Sequence, residues 1–206
     1  MSDERAATVG QTIGPFFGFS LPYAGGPELV PAAHPDAVRL HGVVFDGAGA
    51  PIPDALIEIW QAGPDGAPVA QPGSLRRDGW TFTGWGRAAT NGAGEYSFST
   101  LLPGGAGGTG GAGGAGGAGG AGGPRFAAVT VFARGLLDRL LTRVYFPASG
   151  SDEQAALDAD PLLASLDTER RATLVASADG ERSYRFDVLL QGPGETVFLT
   201  HGPSAR

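Results

Sequence analysis

From Val38 onward the apolar residues of this chain come in short bursts, not in long helical waves. VRLHGVVF (38–45), ALIEIWQA (55–62), WTFTGWG (80–86), EYSFST (95–100), AAVTVFA (127–133) and LTRVYF (141–146) are rich in β-branched and aromatic residues. ATLVAS (172–177), YRFDVLL (184–190) and TVFLT (196–200) follow in the same style. Each run predicts a strand, because branched and aromatic side chains suit a pleated, half-buried surface. In YRFDVLL, Tyr184, Phe186, Val188 and Leu190 share one face, while Arg185 and Asp187 share the other, the period-2 signature of a strand with one buried side. Between the runs stand turn signals such as DGAGAPIPDA, GPDGAP, NGAG and ADGERS, which supply the backbone freedom that tight connections need. Many short strands joined by Gly- and Pro-rich turns predict an all-β chain, a sandwich or a barrel.

Three segments break the pattern. Residues 1–37 are dominated by Gly, Pro and small polar residues and predict an extended arm. SDEQAALDADPLLASLDTERR (151–171) predicts short helices. Ser151 with Gln154 matches a capping box, and Pro161 breaks or restarts the helix. The tract 104–123 is almost pure Gly and Ala. It has nothing to bury, so it predicts a flexible loop, which the logarithmic growth of closure entropy lets the fold tolerate. The whole chain, 1–206, is expected to form a single domain.

Composition narrows the function classes. Cysteine is absent, which excludes a disulfide framework or a thiolate metal site and fits a reducing cytoplasm. The start, MSDERAATVGQ, lacks the basic-then-apolar order of a secretory signal, and no apolar run is long enough to cross a membrane. All 14 basic residues are arginine, the formal net charge is −7, and no basic cluster exists. Nucleic-acid binding is therefore not expected.

Three segments and the start of the chain carry a resemblance. They are LHGVVFDGAGAPIPDALIEIWQA (40–62), GWGRAATNGAGEYSFSTLLPG (84–104), and FARG…LTRVYF (132–146) followed by YRFDVLLQGPGETVFL (184–199), with QTIGPFF at 11–17. In this order and spacing the chain resembles the intradiol ring-cleaving dioxygenases, and the likeness reaches nearly everything but the glycine tract. The resemblance implies a β-sandwich of mainly antiparallel strands. It also implies a ferric ion, Fe(III), held in the catalytic chains by two tyrosinates and two histidines; anionic oxygens and imidazole suit that charge. Here the H-x-H pair is replaced by Phe126 and Ala128, and no tyrosine stands where the ligand tyrosines would lie. His34, His41 and His201 read as solvated or hydrogen-bonded residues, and Tyr96, Tyr145 and Tyr184 as core or interface aromatics. No metal ligand and no catalytic residue is expected in this chain.

What the resemblance implies instead is a supporting subunit. A β subunit would hold the iron, and the two chains would form a hetero-oligomer cleaving 3,4-dihydroxybenzoate with O2 to 3-carboxy-cis,cis-muconate. The alternative is a non-catalytic β-sandwich interaction module. Substrate-binding candidates are Arg134, which ends a strand before Gly135, and Thr12, Gly14 and Pro15 of the arm. A guanidinium can meet a benzoate carboxylate with paired hydrogen bonds. A proline–glycine segment can form a rigid wall, or simply an arm docked on a neighbour. Arg87 and Arg143 read as structural ion-pairing groups, Trp60, Trp80 and Trp85 as core or interface anchors, and Glu58 and Asp46 as a strand residue and a turn residue.

Overall fold

A computed structural model describes residues 20–69, 78–105 and 123–200. Among the described residues nine strands form two facing sheets: β1 (Val38–Phe45), β2 (Leu56–Gln61), β3 (Trp85–Ala89), β4 (Glu95–Thr100), β5 (Phe126–Phe132), β6 (Leu140–Tyr145), β7 (Ser177–Gly180), β8 (Ser183–Arg185) and β9 (Val188–Leu189). The first sheet runs β4-β1-β8-β7, with β9 also paired to β1, and the second runs β3-β2-β5-β6. Every pairing is antiparallel except those of β1 with β8 and β9. The all-β sandwich read from the sequence is the fold observed.

Alternation builds the core. On β1 the buried positions are Val38, Leu40, Gly42 and Val44. Of these, Leu40 and Val44 join Tyr96 and Phe98 from β4 and Ile57, Ile59, Val129 and Val131 from the opposite sheet in one cluster, all nearly free of solvent. Gln61, also buried, is satisfied on both sides of its amide: it donates to Leu101 O at 2.7 Å and accepts from Thr100 Oγ1 at 2.9 Å. A buried amide left unpaired would cost about 1–3 kcal/mol.

β1 and β4 have the bounds their patterns predict. Other runs do not. WTFTGWG becomes strand only at Trp85: Asp78 turns the chain beforehand by accepting from Trp80 N and Thr81 N at 2.8 and 2.7 Å, and Gly84 has φ +67°. YRFDVLL keeps its alternation but splits into β8 and β9 at Phe186–Asp187. ATLVAS is the end of a helix followed by one bridge, in which Leu174 O and Ala176 N bond the backbone of Tyr145. TVFLT is a loop tied by a bridge between Leu199 and Leu141.

The helical segment divides into α1 (Ser151–Ala159), α2 (Pro161–Ala164) and α3 (Thr168–Ala172), so Pro161 restarts the helix as expected. The capping box is displaced by one residue. Gly150 is the N-cap and makes no side-chain cap bond; Glu153, not Gln154, reaches back to accept from Ser149 N at 2.7 Å. Asp160 caps α2 by accepting from Leu162 N and Leu163 N. These helices cover one end of the second sheet's outer face, burying Phe126, Tyr145, Leu157, Leu163 and Leu174 together.

The described part of the arm is clamped to its own fold. Gly26 O accepts from Arg87 N of β3, and Ser99 O of β4 accepts from Leu29 N. Leu29 and Val30 are buried there. Of the glycine tract, Gly105 and Gly123 are described; a Cβ on Gly105 would stand 2.4 Å from Gly123 O, so the two ends of the excursion meet backbone to backbone. The flexibility read for the tract falls on 106–122, outside the described residues.

Candidate functional site

The β2–β5 register sets the geometry at the end of β5. Leu56 pairs with Phe132, so continuing the ladder by two residues brings Asp54 opposite Arg134. The guanidinium Nη2 lies 3.0 Å from Asp54 Oδ2. Beyond β5 the chain turns at once. Leu136 N bonds Ala133 O at 3.2 Å, and Gly135 has φ +93°, the signature of a type II turn with Arg134 at its first corner. Ala133 behind it is buried, whereas the Arg134 side chain is 58% exposed and that of Asp54 is 20% exposed. The carboxylate is thus the anchored partner and the guanidinium the outward one. An alanine at Gly135 meets nothing within 4 Å, so only the backbone resists it. Gly135→Ala is expected to cost about 1–2 kcal/mol, read from the urea midpoint.

The outer face of the second sheet carries the remaining polar groups. Glu58 Oε1 accepts from Arg87 Nε at 2.8 Å and also pairs with Nη2, while Arg87 Nη1 donates to Leu21 O at 2.9 Å. The guanidinium carbon lies 5.1 Å from the centre of the Trp85 ring. Arg87 is therefore a structural ion-pairing group, as read, and its partner is the strand residue Glu58. Arg143 differs: it has no carboxylate partner among the described residues. Its guanidinium carbon sits 4.5 Å from the centre of the Phe126 ring, and Nη1 donates to Tyr145 Oη at 3.2 Å. The ion pair expected from sequence is replaced by a ring face and a phenol because Phe126 and Tyr145 are register partners beside it.

Trp60 and Trp85 also face each other as register partners, half-buried outside the core, and Trp80 is 85% exposed. None of the three tryptophans is a core anchor. His41 Nε2 lies 2.9 Å from Asp179 Oδ2 and 3.2 Å from Ser183 Oγ, and His34 Nδ1 accepts from Asp36 N. His201, Thr12, Gly14 and Pro15 lie outside the described residues. Asp46 organises a turn by accepting from Ala48 N and Ala50 N.

Phe126 and Ala128 share the outer face with Thr130 and Arg143, at positions of matching register. Phe126 packs on Tyr145 with ring centres 5.5 Å apart. Burial, opposed by Arg143 and aided by Asp160, pushes the Tyr145 phenol up to about 12, so at neutral pH it is a protonated donor to Asp160 Oδ1 at 3.0 Å and not a phenolate. Among the described residues no group of three or more His, Asp or Glu side chains could hold a metal ion.

The family model described as Dioxygenase matches residues 14–192. This chain belongs to the intradiol dioxygenase family. It is 38% identical to the protocatechuate 3,4-dioxygenase alpha chain of Burkholderia cepacia, over 93% of this chain and 96% of that one. It is 34% identical to the alpha chain of the same name from Pseudomonas putida, over 93% and 95%. The fold matches the dioxygenase domain of a dioxygenase–carbohydrate-binding fusion from Streptomyces sp. SirexAA-E, with a TM-score of 0.53, 22% identity, and coverage of 91% of this chain and all of that one. Intradiol dioxygenases depend on iron, but the residues here do not fit a ferric ion. Phe126 and Ala128, which the resemblance sets at the two histidine positions, offer a phenyl ring and a methyl group without donor atoms; the ring is covered by Arg143, and the adjacent phenol is kept protonated.

Sequence reading missed Asp54 entirely. The available signal was the register arithmetic itself: once β2 and β5 are paired, the aspartate of PIPDA lies opposite the arginine of FARG.

Proposed function

We propose that this chain is the α subunit of a protocatechuate 3,4-dioxygenase. It acts as one domain in the cytoplasm, in a hetero-oligomer whose β subunit holds the iron. The complex cleaves 3,4-dihydroxybenzoate with O2 to 3-carboxy-cis,cis-muconate, and this chain's share of the work is to bind and orient the substrate. The observation that carries the reading is Arg134. It stands at the outward corner of a tight turn, 58% exposed, with one edge of its guanidinium held and the rest free to meet an anion. Support comes also from the likeness to two alpha chains along nearly their whole length.

In this reading the Arg134 guanidinium binds the ring carboxylate through paired hydrogen bonds and fixes which way the diol points. Thr12, Gly14 and Pro15 wall the same pocket, which this chain and its partner share. Charge-assisted hydrogen bonds of this kind contribute about 1.5–3 kcal/mol. Arg134→Ala in the complex is therefore expected to raise KM for 3,4-dihydroxybenzoate about ten- to hundredfold, and to leave KM for catechol, which lacks the carboxylate, nearly unchanged. Steady-state kinetics on both substrates checks it, and equal effects on the two remove the role. Co-expression with the partner should yield an iron-containing complex, and activity of that partner undiminished without this chain would remove the assignment.

A further inference from the structure

We propose that Asp54 is a positioning residue for the substrate carboxylate, acting through Arg134; the proposal rests on the reading of Arg134 given above. Arginine side chains have many rotamers, and an exposed one ordinarily samples several of them. Here the ion pair with Asp54 is the one polar side-chain contact of Arg134 among the described residues. It engages Nη2 and leaves Nε and Nη1 without a described partner. A guanidinium gripped at one nitrogen still has the donors for a two-point contact with a second carboxylate, and its orientational freedom is already spent before the ligand arrives.

Asp54 is built for holding. It follows Pro53, whose ring fixes φ, and precedes Ala55, which is fully buried and whose N–H bonds the Thr90 hydroxyl at 2.9 Å. Its backbone is thus set from both sides. Its Oδ1 is buried and has no hydrogen-bond partner among the described residues. A buried carboxylate oxygen that accepts nothing does not favour folding, so a purely structural role explains Asp54 poorly. The other oxygen explains it, because it is the atom that meets Arg134.

The test is kinetic and uses the complete complex, comparing wild type, Asp54→Asn, Arg134→Ala and the double variant on 3,4-dihydroxybenzoate and catechol. Asparagine keeps the shape and removes the charge. It is expected to raise KM for the acid about tenfold, to leave kcat and the KM for catechol nearly unchanged, and to add nothing once Arg134 is already alanine. Asp54→Ala should give the same split. If Arg134→Ala fails to separate the two substrates, the reading of Arg134 itself is lost. If Arg134→Ala separates them and Asp54→Asn does not, or if the two variants' effects simply add, the positioning role of Asp54 is overturned while Arg134 stands. Equal losses on both substrates, or failure of both Asp54 variants to assemble with the partner, make Asp54 a folding residue and overturn the proposal as well.

Discussion

Gly42→Ala should abolish the soluble, folded chain. A Cβ at this position would lie 1.9 Å from Phe186 O and 2.6 Å from Phe186 C, both backbone atoms. No side chain can rotate away to relieve that overlap; two strands would have to part. Those strands are tightly joined at this point. Phe186 N bonds His41 O at 2.7 Å, Asp187 Oδ1 accepts from Val43 N at 2.9 Å, and Tyr96, the register partner of Gly42, passes its hydroxyl to Phe186 O at 2.5 Å. The buried Tyr96 phenol has its pKa pushed up by desolvation and by Asp187, so it stays a donor. Parting the strands would break all three bonds and strand buried polar groups. The expected loss exceeds about 4 kcal/mol, at the extreme of single-residue effects. Gly92→Ala is the control, since a Cβ there meets nothing within 4 Å; it should shift stability by no more than about 0.5 kcal/mol. Soluble yield and urea midpoints of the two variants decide the matter, and a Gly42→Ala chain as stable as the control would show the close approach to be unimportant.

Asp160→Ala should be the next most damaging change. A single oxygen, Oδ1, accepts from Leu162 N, Leu163 N and Tyr145 Oη, each at 3.0 Å. Losing the cap costs about 1 kcal/mol. Leaving the Tyr145 hydroxyl buried without its acceptor costs about 1–3 kcal/mol more. The expected total is therefore about 2–4 kcal/mol. Asp160→Asn retains an acceptor oxygen and should recover most of it. Adding Tyr145→Phe to Asp160→Ala should cost less than the sum of the single changes, because the phenol no longer needs a partner. Urea unfolding of the four variants measures the coupling, and strict additivity would show that the Tyr145–Asp160 bond contributes nothing.

Local pattern was enough to find β1, β4 and the break at Pro161, because each depends on what a residue does within its own segment: alternate, branch, or lack an N–H. It failed where the deciding partner is distant. The apolar run around Leu174 looks like a strand, yet its backbone bonds to the sheet it skirts go to one residue, Tyr145. Trp80, read as a core or interface anchor, is decided by a near neighbour instead: Asp78 curls the chain first and leaves the ring outside this chain's core. The cap of α1 slipped by one because a glycine in an extended conformation can open a helix as well as Ser151 can, provided Glu153 satisfies a backbone donor. At the candidate site, Arg134 is named by the resemblance its motif carries. Asp54 could not, since its meaning appears only when β2 and β5 are laid side by side.

The parallel neighbours of β1 set an order of events for the growing polypeptide. Val43 and Asp187 are 144 positions apart, so while the chain emerges from the ribosome this central strand has β4 along one side and nothing along the other. Contacts of such long range are made late and slowly, and an open strand edge meanwhile invites pairing with the wrong molecule. Stop codons or deletions that remove the last few dozen residues would thus harm more than a peripheral tail: they would leave the middle of the first sheet permanently unzipped.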